Sequence, residues 1–306
     1  MTEAVTQSDV TISKGRSLWS DAWRRLLHRK LVVVSLMVIA VFVLVALGVY
    51  SGLIAGAWDK QVGPRYEGPS LKHGFGTDFL GRSVWRKTLY GAKISLTVAF
   101  VASLISICIG LPLGAIAGYF KGWIDELIVW LFTTVSSIPY IILILAFAFV
   151  LQGRTLFGYP LRGITVVYMV IGLTSWVGLC RLIRGEVIKH RERDYVIAAR
   201  AYGCSKARII LRHIIPNVVH LVIINFSLRF VSFIHAEVIL SFLGLGVKGE
   251  PSWGVMIDDA RQELYRGCWW QLAAATLAIG LISLALNIVG DALRDALDPK
   301  LRQGLE

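Results

Sequence analysis

Residues 181–217 read RLIRGEVIKHRERDYVIAARAYGCSKARIILRHIIPN, a polar and basic stretch held between two hydrophobic runs, 164–182 and 218–243. Each run is long enough to cross a membrane, because a hydrocarbon core of about 30 Å needs about 20 residues of helix rising about 1.5 Å each. Four more runs meet that length: 31–50, 94–120, 124–151 and 269–289. In lipid every backbone polar group must be paired within the chain, so runs of this kind become helices. The expected fold is all-α, a polytopic membrane protein of six transmembrane helices, with 181–217 joining the fourth to the fifth.

Composition agrees. The chain is 56% hydrophobic and 17% charged, with mean hydropathy +0.65 over 306 residues, too apolar for a soluble globular protein. The formal charge of +12 sits in basic loops beside apolar runs, which points to anionic headgroups and topology rather than nucleic acid. Lys14, Arg16, Arg24, Arg25, Arg29 and Lys30, then Lys121, the basic set in 181–212, and Arg294, Lys300 and Arg302 place both termini in the cytoplasm. The outer segment 51–93 fits less well, because it carries Lys60, Arg65, Lys72, Arg82, Arg86, Lys87 and Lys93. Residues 82–93 are read as an amphipathic helix at the interface. Cys108, Cys180, Cys204 and Cys268 form no CxxC pair and are read as packing residues. Residues 1–14 show no apolar core with a small-residue cleavage site, so the first hydrophobic run is expected to stay as an anchor.

This divides the chain into an N-terminal cytoplasmic tail (1–30), a first transmembrane helix with an outer segment (31–93), a transmembrane core (94–290) and a cytoplasmic C-terminal tail (291–306). The core holds a coupling loop at 183–217. Segments 51–93 and 244–268 exceed tight turns; they either fold over the mouth of a pathway or remain solvated loops.

Within the coupling loop, 186–197 and 205–215 read as short amphipathic helices. Ala198, Ala199 and Ala201 allow close backbone approach, Gly203 can take the positive φ that ends a helix, and Pro216 opens the fifth helix where its missing N–H costs least. Such an element either inserts into a groove on a partner or lies on anionic headgroups.

These residues carry a resemblance. Ala198-Ala199, Gly203 and Pro216, with Asp194-Tyr195-Val196 before them and Arg212-His213-Ile214-Ile215-Pro216-Asn217 after, resemble the EAA loop of binding-protein-dependent ABC importer permeases, in the dipeptide and oligopeptide branch. Gly76-Thr77-Asp78-Phe79-Leu80-Gly81-Arg82 and Tyr90-Gly91-Ala92 resemble the C-type subunit of that branch. So do Glu237, the run from Leu240 to Gly246, Pro251-Ser252-Trp253-Gly254, Asn287, Gly290-Asp291-Ala292-Leu293-Arg294 and Asp298-Pro299. The chain departs from the pattern at Ile197, where a glutamate usually stands, at His213, at Ser83 and at Thr133. The resemblance implies a permease subunit in the bacterial inner membrane, paired with a second homologous permease, two ATP-binding subunits and an extracytoplasmic solute-binding protein. ATP and Mg would belong to the partner subunits, and this chain would hold no cofactor or metal. Asp194, Tyr195, Ala198, Ala199, Arg200, Ala201, Gly203, Arg208 and Pro216 are then expected to couple to the ATPase. Ala198 and Ala199 would make the close contact, with shape mattering more than charge since Ile197 removes the acidic group. The implied cargo is di- or oligopeptide, with nickel, glutathione or a peptide antibiotic as alternatives.

Inside the fifth run lie Asn225, Arg229, His235 and Glu237, and charges at such depth need a partner or water. Arg229 and Glu237 are eight residues apart, two turns along the helix and about 80° round it, which does not favour direct pairing. They either line the pathway and meet the charged ends of a peptide, or bond neighbouring helices or a partner permease. His235 is read as a satisfied interior group. Pro112, between Gly110 and Gly114, and Pro139, after Ser136-Ser137, are candidate hinges or static kinks.

There is no GxxxxGK(S/T) phosphate loop, no GxSxG, no HExxH and no CxxC, and the six histidines lack metal-ligand spacing. The chain is therefore not expected to be an enzyme, and uphill transport would draw on a partner. A carrier or channel working alone would use Arg229 and Glu237 as ion-relay groups, but leaves the ordered loop without a role.

Overall fold

The structure, a computed structural model, describes residues 26–71, 73–156 and 158–297. Lys14, Arg16, Arg24, Arg25, Lys72, Asp298, Pro299, Lys300 and Arg302 lie outside them. Helices α1 (Lys30–Tyr50), α2 (Val84–Tyr119), α3 (Trp123–Ser137) and α4 (Tyr140–Leu151) lead to a two-residue ladder, β1 (Thr155–Leu156) with β2 (Tyr159–Pro160). Then come α5 (Ile164–His190), α6 (Asp194–Ala201), α7 (Lys206–Arg208), a π-helical turn over Ile209–Ile214, α8 (Ile215–Phe242), α9 (Trp253–Leu264) and α10 (Trp270–Leu297). Five helices are long and apolar enough to span a membrane, and α3 with α4, bent by 96°, is long and apolar enough to make a sixth if the pair is one broken span.

The spans differ from the hydrophobic runs where charge or proline intervenes. α2 begins at Val84, ten residues before the apolar run, capped by Ser83, whose Oγ accepts the Arg86 N–H at 3.4 Å. Residues 82–93 are thus not a separate interfacial helix, and the boundary expected at 93 falls inside α2. The helix read at 186–197 is divided, because α5 runs on to His190 and α6 starts afresh at Asp194. The helix read at 205–215 does not stop before the fifth span; residues Lys206–Phe242 form one 37-residue helix. Pro216 sits just after the π turn, where wider winding passes over its missing N–H, and Asn217 Nδ2 donates to His213 O at 2.7 Å.

The two candidate hinges behave differently. Before Pro139, Ile138 is extended (φ −87°, ψ 128°), the conformation a following proline enforces, and the span breaks. Pro112 lies within the unbroken 36-residue α2. There α2 is pressed against α5: a Cβ at Gly110, Gly114 or Gly118 would stand 2.8, 2.6 or 2.7 Å from the carbonyl oxygens of Trp176, Cys180 and Arg184. This stripe lets the two backbones touch, and in lipid such close packing takes the place of the hydrophobic drive.

The α2–α5 pair is the centre of the bundle. α1, α8 and α10 pack along one flank, and α3 and α4 flank α5 on the other. The Tyr50 hydroxyl meets Thr97 Oγ1 at 2.7 Å near the start of α2, so α1 runs antiparallel to it. Arg29 pairs with Asp295 at 3.0 Å, which brings both ends of the described chain to the side where α2 finishes and α6 lies. The opposite end is closed by 51–71, 73–83 and α9. Segment 244–268 is not a loose loop, because it contains α9, with Trp253, Met256 and Ala260 fully buried against α2, α8 and α10.

Candidate functional site

The α6 end is built from short elements fixed to the ends of long ones. Val196 and Ala199, three residues apart, face inward against Tyr119, Ile183, Val187, Ile209 and Ile214. The opposite face leaves Asp194, Tyr195, Ile197, Ala198, Ala201 and Tyr202 exposed, with Ile197 at 51% and Tyr202 at 89%. Ala199 is only 6% exposed, so the expectation that it touches a partner is corrected: it is a packing residue, and the outer surface is apolar without it. Successive helical positions lie about 100° apart, so Ala198 and Ala199 cannot both face outward; the i, i+3 pair Val196–Ala199 is the sequence signal of the inner face.

Gly203 ends α6 as expected, at φ +74°. Its N–H reaches Arg200 O at 2.9 Å and the Cys204 N–H reaches Ala199 O at 3.1 Å, the two bonds of a Schellman motif. Arg208 is exposed on α7, and its N–H is capped by Ser205 Oγ. Arg200 is engaged within the chain, its guanidinium 5.5 Å over the Tyr119 ring and donating to Arg191 O at 3.2 Å. Lys206 sits 5.5 Å over Phe120, Arg191 donates to Gly118 O at 2.9 Å, and the His190 ring meets the Tyr195 hydroxyl at 2.7 Å. Arg184 clasps Asp125 through two bonds of 2.6 and 2.8 Å, tying α5 to the start of α3. The Tyr119–Phe120 pair, missed in the sequence reading, is the anvil under this end.

The polar residues of the fifth span separate. Glu237 is 0% exposed and accepts hydroxyls from Ser95 (3.1 Å), Ser241 (2.7 Å) and Ser252 (2.6 Å). Ser252 in turn accepts the Val255 N–H at 3.1 Å, so Glu237 fixes the start of α9. It bonds neighbouring elements rather than lining a pathway. Arg229 does not pair with it. It borders a cavity of ≈ 470 Å³ at the break of the third crossing, with Ser136, Tyr140, Thr174, Arg181 and Ser232. Asn225 is half-buried one turn earlier on α8 and does not line this cavity. His235 is exposed, not interior, which corrects that reading.

At the far end a charge cluster is built around the buried pair Lys87 and Asp78, with Arg82 and Asp259 half-buried at its edge. Lys87 is 1% exposed, and its Nζ donates to Asp78 Oδ2, Asp259 Oδ2 and Gln271 Oε1, each at 3.1 Å. Asp78 also accepts the Leu80 and Arg82 N–H groups at 2.9 Å and Arg82 Nε at 2.8 Å. Burial opposes its ionisation, but Lys87 and Arg82 outweigh it and hold the carboxyl below its usual range. Glu263 accepts the Phe79 N–H at 3.0 Å through one oxygen, the other being buried without a partner, and burial pushes its pKa up to about 7. Gly81, at φ +72°, closes the turn that presents Asp78; its own Cβ position would overlap Gly63 O.

Comparison with known proteins gives this arrangement its family. The model of the binding-protein-dependent transport system inner membrane component matches residues 110–303, and that of the N-terminal TM domain of oligopeptide transport permease C matches 17–57. The chain is 36% identical over 292 residues to the dipeptide transport system permease protein DppC of Bacillus subtilis (strain 168), covering 94% of this chain and 87% of that one. It is 37% identical over 297 residues to the oligopeptide transport system permease protein OppC of Haemophilus influenzae, covering 94% and 91%. With the glutathione transport system permease protein GsiD of Escherichia coli O6:K15:H31 it shares 35% over 292 residues, covering 94% and 92%. Among solved structures, an inward-facing conformation of the MetNI methionine ABC transporter superposes with TM-score 0.53 at 17% identity, over 69% of this chain and 96% of that one, a likeness of fold alone. The family implies ATPase and binding-protein partners, which removes the reading of a carrier working alone. The chain belongs to the binding-protein-dependent ABC importer permeases, in the oligopeptide permease C branch, as a multi-pass membrane subunit of a bacterial transporter.

Proposed function

We propose that this chain is the C-type permease of an ATP-driven importer of di- and oligopeptides in the bacterial cytoplasmic membrane. It pairs with a second homologous permease, two ATPase subunits and an extracytoplasmic solute-binding protein. The relatives' names, dipeptide, oligopeptide and glutathione, favour a peptide or peptide-like cargo over nickel. The observation that carries the coupling role is α6: its inner face is locked to α2 and α5, while Ile197 and Tyr202 stand in the open at the end of the bundle. Apolar side chains held out on a fixed support suit a groove on a partner better than water. Asp194, Tyr195, Ala198, Ala201 and Tyr202 form the docking face, with Gly203 and Pro216 setting its shape.

On this reading the α6 end is cytoplasmic. Three of the seven basic residues that spoil the outer side of the charge rule are spent inside the chain: Arg82 on Asp78, Lys87 on Asp78 and Asp259, and Lys93 on Glu250 at 3.8 Å and on the rings of Tyr50 and Tyr90. ATP and Mg act in the ATPase subunits. Their closure shifts α6, α5 follows, and the population moves between inward-open and outward-open states. Pro139 supplies the break at which the third span can swing, whereas Pro112 stays within a continuous helix.

The test is ATP-dependent accumulation of labelled trialanine in proteoliposomes holding this chain, its partner permease, both ATPases and the binding protein. Uptake is expected only with ATP and the full set. Uptake that persists after the ATPase subunits are left out would overturn the reading.

A further inference from the structure

The cavity at the broken span has features that packing does not explain. Arg181 and Arg229 both border it, and among the described residues neither pairs with a carboxylate. Arg181 donates to Ser136 Oγ at 3.2 Å and lies 5.2 Å over the Phe132 ring; Arg229 donates to the backbone oxygen of Ser175 at 3.3 Å. A guanidinium has five N–H donors, so most of this capacity is unspent. Arg229 is about 20 Å from the end of α8 at Phe242, within the apolar span, where an uncompensated charge is expensive and by default functional.

The surroundings are shaped for a polar visitor. Ser232, exposed and one turn after Arg229 on α8, lies on the same side of the helix and adds a hydroxyl to the lining. Tyr140 at the start of α4 and Ser175 on α5 meet at 3.3 Å beside the break and add hydroxyls to the lining. Gly178 leaves the space in which the guanidinium of Arg229 lies, since a Cβ there would run into it. The volume of ≈ 470 Å³ is within the range of about 300–1,000 Å³ usual for small-ligand sites.

We propose that this cavity is a carboxylate-binding subsite on the cargo's route, with Arg229 and Arg181 receiving the terminal carboxylate of a peptide. Planar guanidinium groups match a carboxylate in geometry, and a pair borne on different helices can release it when the helices part. The proposal rests on the importer reading above and adds to it the group recognised and the residues that recognise it. A carboxylate side chain of the partner permease offers the same chemistry, and the experiment separates the two sources.

Saturation-transfer NMR of the purified importer without its binding protein would compare trialanine with trialanine amide. The native complex is expected to favour the free acid. Arg229→Gln should abolish that preference and lower affinity for the acid about tenfold or more, Arg229→Lys should keep part of it, and Gly178→Ala, which displaces the guanidinium without removing it, should weaken it. Equal signals from acid and amide, no signal from either, or a preference unchanged in Arg229→Gln would each overturn the subsite. So would loss of the partner permease from Arg229→Gln complexes that is restored by neutralising one of that partner's acidic residues, because the carboxylate would then be the partner's. Trialanine uptake by the native proteoliposomes is scored separately: its absence would strike the importer reading, while uptake with no acid preference would strike only the subsite.

Discussion

The two ends of the bundle handle exposed chemistry in opposite ways. At the α9 end, charges are drawn inside: Lys87 is shared among Asp78, Asp259 and Gln271, and Glu237 gathers three serine hydroxyls. At the α6 end, apolar groups are left outside, and cations such as Arg200 and Lys206 lie on aromatic rings beneath the surface they border. A buried ion cluster is costly unless complete, and once complete it admits few alternative arrangements. An exposed apolar helix costs little within the chain and gains when something covers it. The difference separates a closed, self-sufficient cap from an apolar platform that, on the proposed function, a partner completes.

The largest effect should come from breaking the cap. Lys87→Met leaves Asp78 and Asp259 facing each other across an apolar side chain and should destabilise the protein by about 3–5 kcal/mol, read as a fall in the thermal midpoint of the purified chain. Next is the platform. Ile197→Asp should leave that midpoint within the small range of surface substitutions but weaken ATPase co-purification by roughly 2 kcal/mol or more, about thirtyfold. If Ile197→Asp unfolds the protein instead, the contrast between the ends is wrong. Gly114→Ala attacks what joins them: its Cβ would stand 2.6 Å from Cys180 O. Overpacking of about 1–3 kcal/mol should lower transport per ATP hydrolysed while both ends keep their own contacts, as measured by the ratio of uptake to ATPase rate.

The smallest effect concerns Glu263. With a folded pKa raised to about 7 from the ordinary 4.5, the folded state holds its proton longer than the unfolded chain. The stability this contributes is full below pH 4.5 and is lost as pH rises through 7. Glu263→Gln mimics the protonated form, so it should melt about 2–4 °C above the native chain at pH 8, with the gap closing toward acid. A gap that widens on acidification would mean that Glu263 is ionised in the fold.

Much of this was legible in sequence. Length and hydropathy located the five continuous spans and the bent α3–α4 pair, and Gly203 and Pro216 marked the turn that ends α6 and the start of the fifth span. What failed did so because the deciding partner lies far along the chain or on another face. Arg82, Arg86, Lys87 and Lys93 look like water-facing cations and shortened α2 by ten residues; two of the three acceptors that explain Lys87, Asp259 and Gln271, lie 172 and 184 residues away. Glu237 and Arg229 look alike as intramembrane charges, and only the packing shows that one is enclosed by serines while the other borders open space. Pro112 and Pro139 share the same chemistry, but the glycine stripe braces the first, and among the described residues no such stripe braces the second.

That stripe has a mechanical consequence. With the backbones of α2 and α5 in contact at three successive turns, the pair resists bending and behaves as a single strut. α2 alone is about 54 Å long, so a tilt of about 10° imposed at one end sweeps the other by roughly 9 Å. A displacement of a few ångströms beneath α6 would then reach the capped end as leverage, with the cavity at the fractured crossing lying beside the pivot.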